Sequence, residues 1–463
     1  MRRKAVKFVF LAFAFLVLTA FASVSAAKTI YVPDDYARIQ WAVDSASIGD
    51  TIIVRDGTYY ENVVVNKKLT IKSENGSAYC IVDGSSSTVF TLGADGIRIE
   101  GFSITGGGYG IYIRSNNNNI ISNNTISSNN YGIYLMDSNN NSISNNLISS
   151  NNDYGIYLYE SNKNSIFNNI ISNNGHGIDL EGNNNSISNN IISNNGCGIM
   201  FGGNNNSISN NIISNNNGGG IYFYGNNNSI SNNLISSNTY EGIELWGNNN
   251  SISNNNISNN RGGIYLDNSN NNSISKNNIS SNDYGILLSD SNNNSISNNE
   301  FMNDGLSVAD SYGNIVENNK VNGKPLVYLE DESDKFIDNA GQVILVKCKN
   351  ITVMNAEIKN TDIGIELWQS DNCLISKNNI SNNDDGISLI HSNNNSISNN
   401  NISNGYGIYL YESNNNIIYL NNFINSICNA YSYDSTNIWN STSENNIHIQ
   451  RFRIHELHGQ LLG

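Results

Sequence analysis

The chain has 463 residues, a net charge of −15, only two prolines and 97 asparagines. An acidic chain without basic patches is a poor partner for nucleic acid or anionic lipid, whose phosphates require a positive surface. Five cysteines, at 80, 197, 348, 373 and 428, are odd in number and scattered, which predicts no disulfide framework.

Residues 1–27 read as a signal peptide. Arg2, Arg3, Lys4 and Lys7 precede an apolar run from Phe8 to Ala22, and Ser25 with Ala27, or Val24 with Ala26, suits cleavage. The alternative is an uncleaved membrane anchor, since the run approaches spanning length. Either way the body lies outside the cytoplasm, and without the four basic residues of the leader its charge is −19.

Residues 28–109 form a segment with its own style. Ile39, Ala42, Val43 and Ala46 have helical spacing, and Gly49-Asp50 ends that helix. Strands follow at Thr51–Val54, Val63–Val65 and Leu69–Ile71. The helix is expected to plug the open end of a stack of strands, which would otherwise expose unpaired backbone.

From residue 110 to 440 one sentence recurs. It opens on Gly-Ile at Gly110, Gly132, Gly155, Gly177, Gly198, Gly220, Gly242, Gly263 and Gly285, and again at Gly364, Gly386 and Gly407, in steps of 21 to 23 residues within each run. In the copy beginning at Gly242, one strand holds Ile243 and Leu245 on one face and Glu244 and Trp246 on the other; two more centre on Ile252 and Ile257. Three strands in about 22 residues leave no room for a helix, so each copy is one coil of a parallel β-helix. Asparagine tolerates the left-handed bends between strands, and in register its amides are expected to form ladders.

The entry segment Ile39 to Val65 resembles that of secreted right-handed β-helix proteins, among them pectin methylesterases and the NosD-like family. The coils from Gly110 onward look most like NosD-type surface proteins, abundant in methanogenic archaea. Asn322 to Asp331 and Ala340 to Val346 also resemble the NosD-like pattern, and the resemblance covers roughly Lys28 to Trp439. It implies the fold more than the activity, since one scaffold hosts many chemistries.

Between Asn303 and Asp362 the repeat degrades. Val316 with Val321, and Val353 with Ile358, keep the five-residue offset, so the coil is expected to persist, interrupted by an acidic loop near 330–340. Residues 441–463 are expected to form an aberrant, disordered tail. Ile447 to Gly463 carries three of the five histidines (His448, His455 and His458) and fits no repeat. It can be written in codons that, read one nucleotide later, encode a Tyr/Asn/Gly-rich segment resembling the close of NosD-like proteins. A frameshifted reading is the expectation, and the histidine cluster is then no metal site.

The outward positions of the Gly-Ile strands are the candidate site. The first holds Tyr157, Tyr222 and Tyr409, with Glu244 and Glu366 in other coils; the second holds Tyr159, Tyr224, Trp246, Trp368 and Tyr411. Aromatic rings stack on the apolar faces of sugars and carboxylates accept hydroxyl hydrogen bonds, so these ten residues form a candidate glycan-binding face. The alternative is that tyrosine favours strand positions and stacks on itself. A catalytic reading uses Asp362, Asp384 and Asp385. Asn360-Thr361-Asp362, Asp384-Asp385 and Gly405-Tyr406-Gly407 resemble the motif order of polygalacturonases, which implies acid–base work by three carboxylates. The departures are Tyr406 where that family has histidine and the lack of an Arg-x-Lys clamp. A uronate lyase would need basic residues beside clustered acids, and the coils offer Arg114 and Arg261 without such clustering. Copper, which the NosD name evokes, would need clustered His, Met or Cys; His176, His391 and five scattered methionines supply none. Sequons such as those at Asn123, Asn140 and Asn184 are glycosylation acceptors, or simply products of the repeat.

The sequence thus predicts an all-β protein, a right-handed parallel β-helix with a short N-terminal capping helix. The expected role is non-catalytic binding or architecture at or beyond the cell surface, in contact with polysaccharide, envelope glycan or other envelope proteins, without cofactor or metal. The rival is a polysaccharide-degrading enzyme. A membrane partner is expected only if the leader stays attached.

Overall fold

The computed structural model describes residues 27–439. The leader, apart from its last residue Ala27, and the tail from 441 onward lie outside them. The described chain is a parallel β-solenoid with one short helix, α1 (Ile39–Ser45). A representative coil runs Tyr154–Tyr159, Ser165–Phe167, Ile170–Ser172. Each strand pairs in parallel with its counterpart one coil on: Ile156 with Ile178, Ile166 with Ile187, Ile171 with Ile192. The interior is a column of aliphatics, with Ile156, Leu158, Ile166 and Ile171 all at 0% exposure. Each buried side chain of this size contributes about 1.5–3 kcal/mol. All five cysteines are free.

The bends between strands are made by asparagine pairs. In Asn168-Asn169 the first residue turns left-handed (φ 56) and the second is buried with its amide inside the coil. Asn190 shows the bonding. Its backbone N–H and its Nδ2 both donate to Asn211 Oδ1, at 2.9 and 3.0 Å, and Nδ2 also donates to Ile166 O at 2.9 Å. Asn211 repeats the pattern onto Asn233. Three such columns run inside the first stack. One of them, through Asn238 and Asn260, ends at Asp304, whose carboxylate takes the bonds donated by Asn282.

Both ends of the first stack are covered. Helix α1 buries Ile39, Ala42 and Val43 over the first coil. Its N-terminal N–H groups donate to Glu61, which accepts from Ile39 at 3.0 Å and Gln40 at 3.1 Å. Its C-terminal carbonyls accept from Lys67 Nζ, at 3.1 Å for Val43, 2.8 Å for Asp44 and 2.9 Å for Ala46. An acid at the N-terminus and an amine at the C-terminus suit the helix dipole.

The expected continuous coil across 303–362 is not what forms. Val316 and Val321 do close the last coil of the first stack, pairing with Ile296 and Phe301. The chain then turns at Asn322-Gly323 (φ 51 and 80), and Lys324-Pro325 runs back antiparallel to Lys320-Val321. A second stack with its own core begins at Lys324–Glu330. Val353 and Ile358 belong to it, pairing with Ile375 and Ile380. The acidic stretch is part of its first turn, with Ser333 bridged to Lys349 and Phe336–Ile337 paired with Thr352–Val353.

The outward face of this second stack closes the open end of the first. Ile344, Val346 and Trp368 bury into the first core. Polar side chains take the place of the missing next strand. Gln342 accepts from Leu306 N–H at 2.9 Å and donates to Leu306 O at 2.8 Å. Asp362 accepts from Gly285 N–H at 2.9 Å and Gly305 N–H at 3.2 Å, Glu366 from Val308 N–H at 3.4 Å, and Trp368 Nε1 donates to the Tyr312 hydroxyl at 3.0 Å. Edge groups that would otherwise be orphaned are thereby satisfied.

Two predictions follow from this packing. Asn211→Ala leaves two donors of buried Asn190 without their acceptor and should cost about 2–3 kcal/mol in denaturant unfolding; a change within about 0.5 kcal/mol would contradict the ladder's role. The joint should also weaken as pH rises. Burial pushes Asp304 and Glu366 up to about 8 and Asp362 up to about 7, helped by the charges of Asp362 on Asp304 and Glu366, and of Asp384 on Asp362. Asp283 and Asp385 add like charge nearby. From about pH 4 to about pH 7–8 the folded joint holds protons that the unfolded chain has released, so stability falls across that window. Melting curves of the wild type between pH 5 and 9 should show this slope, and Asp362→Asn with Glu366→Gln should flatten it; parallel pH profiles would contradict the assignment.

Candidate functional site

The outward face of the Gly-Ile sheet divides into two regions. In the first, rings stack on rings along the axis. Tyr109, Tyr131, Tyr154 and His176 follow one another at centroid spacings of 5.2, 5.5 and 5.2 Å, and Tyr112, Tyr134 and Tyr157 at 5.5 and 5.0 Å. These rings occupy one another, so Tyr157 shares its faces with neighbours, and Tyr159 meets it tilted at 6.5 Å. The column of tyrosines preceding the first three Gly-Ile pairs was missed in the sequence; its signal was the repeat of Tyr at 109, 131 and 154.

The second region begins where the tyrosine columns break. In register, Tyr157 is followed by Asp179, Met200, Tyr222, Glu244 and Tyr265. The next outward column contains Gly202, Tyr224 and Trp246. Tyr224 is 51% exposed and leans over Gly202, where a Cβ would sit 2.5 Å from the ring. Trp246 meets Tyr222 edge-on at 4.7 Å and donates from Nε1 to Asp267 at 2.9 Å. Tyr284 donates to Glu241 at 2.8 Å. Burial, then the neighbouring Glu181 charge, raises Asp179 to about 6. Burial, then Glu241 and Asp267, raises Glu244 to about 7. This is a face of hydrogen-bonding carboxylates and partly free rings.

The turn leaving this sheet also changes here. In most other coils it contains a left-handed residue before a serine, as in Glu160-Ser161 (φ 48 at Glu160) and Asn268-Ser269 (φ 48 at Asn268). In four consecutive coils a single glycine replaces the pair: Gly182, Gly203, Gly225 and Gly247, with φ between 113 and 159. The rim retreats over those coils. At its edge lies a recess of about 350 Å³, lined by Glu160, Asn162, Glu181, Asn183, Gly203 and Tyr224 among others, with no basic residue in its lining.

The remaining candidates fall elsewhere. Glu366 and Trp368, expected on the open face, are 1% and 6% exposed because the first stack covers them. Tyr409 stacks on Tyr431 at 5.4 Å and Tyr411 on Tyr433 at 5.6 Å, in the second stack and away from the recess. Asp362, Asp384 and Asp385 do come together at the joint, close enough for Asp384 to raise both of the others. Asp362 is 7% exposed and spent on backbone N–H groups, a structural task that takes it out of the expected acid–base set.

A model described as "Periplasmic copper-binding protein (NosD)" matches residues 43–217 and 302–453, and one described as "Right handed beta helix region" matches 197–340. A protein named "Cell surface glycoprotein" from Methanothermus fervidus is 39% identical over 113 residues, covering 24% of this chain and 19% of that protein. The chain therefore spans about a fifth of the length of this relative. Solved structures with some likeness include an alginate lyase from Paenibacillus sp. (18% identity, TM-score 0.36, 63% of this chain and 99% of that one). The catalytic domain of a GH87 alpha-1,3-glucanase gives 15% identity and a TM-score of 0.46, over 64% of this chain and 66% of that one. A fragment of bacteriophage phi29 gene product 12 gives 12% and 0.44, over 86% and 90%. Likeness at these values carries no argument about chemistry.

Copper, which the family description names, does not fit the donors described. His176 packs against Tyr154, His391 pairs with Glu412 at 3.2 Å, and among the described residues no three His, Cys, Asp or Glu side chains are grouped to hold a metal ion. The histidines at 448, 455 and 458 lie outside the described residues. With matches over more than half of its length, the chain belongs to the NosD family, as an extracytoplasmic right-handed parallel β-helix protein.

Proposed function

We propose that this protein is a non-catalytic surface module that binds a polysaccharide or envelope glycan along the outward sheet face between Tyr159 and Asp267. The observation that carries the reading is the break in the tyrosine columns. N-terminal to it, rings are consumed by one another; beyond it, Tyr222, Tyr224 and Trp246 stand among Asp179, Glu181, Glu244 and Asp267. Rings with free faces offer apolar contact to a sugar, and carboxylates accept from its hydroxyls. The periplasmic location in the family description and the name of the Methanothermus relative agree with a role in the cell envelope. Attachment to the surface, as opposed to release, is part of this proposal.

Two acids near the rings are already engaged, Asp267 by Trp246 and Glu241 by Tyr284, while Asp179, Glu181 and Glu244 serve as acceptors for sugar hydroxyls. Purified protein from Lys28 onward should be retained by at least one polymer in a panel of neutral, amine-bearing and acidic polysaccharides, without new reducing ends or unsaturated sugars. Trp246→Ala should weaken retention by about tenfold, the equivalent of ~1.4 kcal/mol. Cleavage of the retained polymer would replace this reading with the enzymatic one, and an undiminished Trp246→Ala variant would move the site elsewhere.

A further inference from the structure

The four shortened turns suggest where on the face the ligand is held and which sugars it admits. We infer that the recess beside Gly202 is the principal subsite, and that it takes a neutral or amine-bearing hexose unit and rejects uronates. The inference rests on the glycan-binding reading above.

Three features support it. First, the recess is built by the sequence. Gly182, Gly203, Gly225 and Gly247 each remove the residue that elsewhere stands at the rim, and their N–H groups stay bonded, Gly182 to Gly202 O at 3.1 Å and Gly225 to Trp246 O at 3.0 Å. The lowered rim runs four coils, roughly 19 Å at about 4.8 Å per coil, and is bounded by the longer turns at Glu160 and Asn268. Second, the recess has an aromatic wall. Gly202 interrupts the outward column at the one coil where a side chain would lift the Tyr224 ring off the sheet. Tyr224 remains half exposed beside the recess, available for stacking on a sugar ring. Third, its polar lining is Glu160, Glu181, Asn162 and Asn183, with Asp179 close enough to Glu181 for the two charges to interact. Two carboxylates at the wall accept from hydroxyl or ammonium donors. They repel the carboxylates of a polyuronate, with no basic side chain in the lining to offset the repulsion.

The test is binding of four-unit oligosaccharides to the protein by calorimetry: a neutral β-glucan oligomer, a glucosamine oligomer and an oligogalacturonate. The neutral or the glucosamine oligomer should bind, and the oligogalacturonate should bind at least about tenfold more weakly. Gly202→Val should displace the Tyr224 ring, and Tyr224→Ala should remove it. Either should weaken binding about tenfold while leaving the melting temperature near that of the wild type. Glu160→Gln with Glu181→Gln should narrow the margin against oligogalacturonate. Equal binding of the uronate, or unchanged binding by both ring variants, would overturn the subsite while leaving the broader glycan reading intact. Failure of every oligomer and every polymer to bind would overturn both.

Discussion

The structure depends on stacking like on like. Each coil is held by its neighbour through an in-register set of parallel strands and, inside each bend, through an asparagine amide that accepts from the coil before and donates to the coil after. An amide suits this task because it carries donor and acceptor on one short side chain. It also sits beside a residue that must turn left-handed, which asparagine tolerates. The consequence is a constraint on length. The shortened coils change where no asparagine ladder passes: the residue is lost before the ladder asparagine, and Asn164, Asn185, Asn206 and Asn228 remain bonded in sequence across the change. Glycine supplies the altered backbone, with φ values that residues bearing side chains avoid.

A stack of this kind grows by repetition and is threatened only at its ends. The first end is covered by α1, with Glu61 and Lys67 bonding the helix termini to the solenoid. The other is covered by a second solenoid laid across it, with Gln342, Asp362 and Glu366 imitating the strand that would have come next. This second solution buries carboxylates. Burial raises their pKa values to about 7–8, which makes the joint sensitive to rising pH.

Much of this was legible in the sequence. The period of Gly-Ile, the five-residue offset of isoleucines and the paired asparagines specify coils, because every copy states the same register. The plug at Ile39–Ser45 was legible from helical spacing next to strands. The joint was not. Val316 and Val321 continue the offset faithfully, and the reversal after them depends on Asn322-Gly323 and on the distant Gln342, which no local pattern connects. For the same reason Glu366 and Trp368 read as surface residues: their strand has the outward alternation of every other coil, and only the contact between the two stacks buries them. The recess was half legible. The aromatic and acidic positions follow from the alternation, while the lowered rim is visible only as a one-residue change in coil length at Gly182 through Gly247, which needs the stack to acquire meaning.

The solenoid therefore does two jobs with different residues. Interior isoleucines and asparagines supply rigidity and length, and the outward face, free of that obligation, varies from self-stacked tyrosine to open rings among acids. The most direct measurement of this division is hydroxyl-radical footprinting of the aromatic side chains with and without a polysaccharide that the protein retains. The account predicts protection at Tyr224 and Trp246, with no change at the exposed Tyr60 and Tyr406. Protection confined to Tyr406, Tyr411 or the far ends of the stacks, or none at Tyr224 and Trp246, would contradict it.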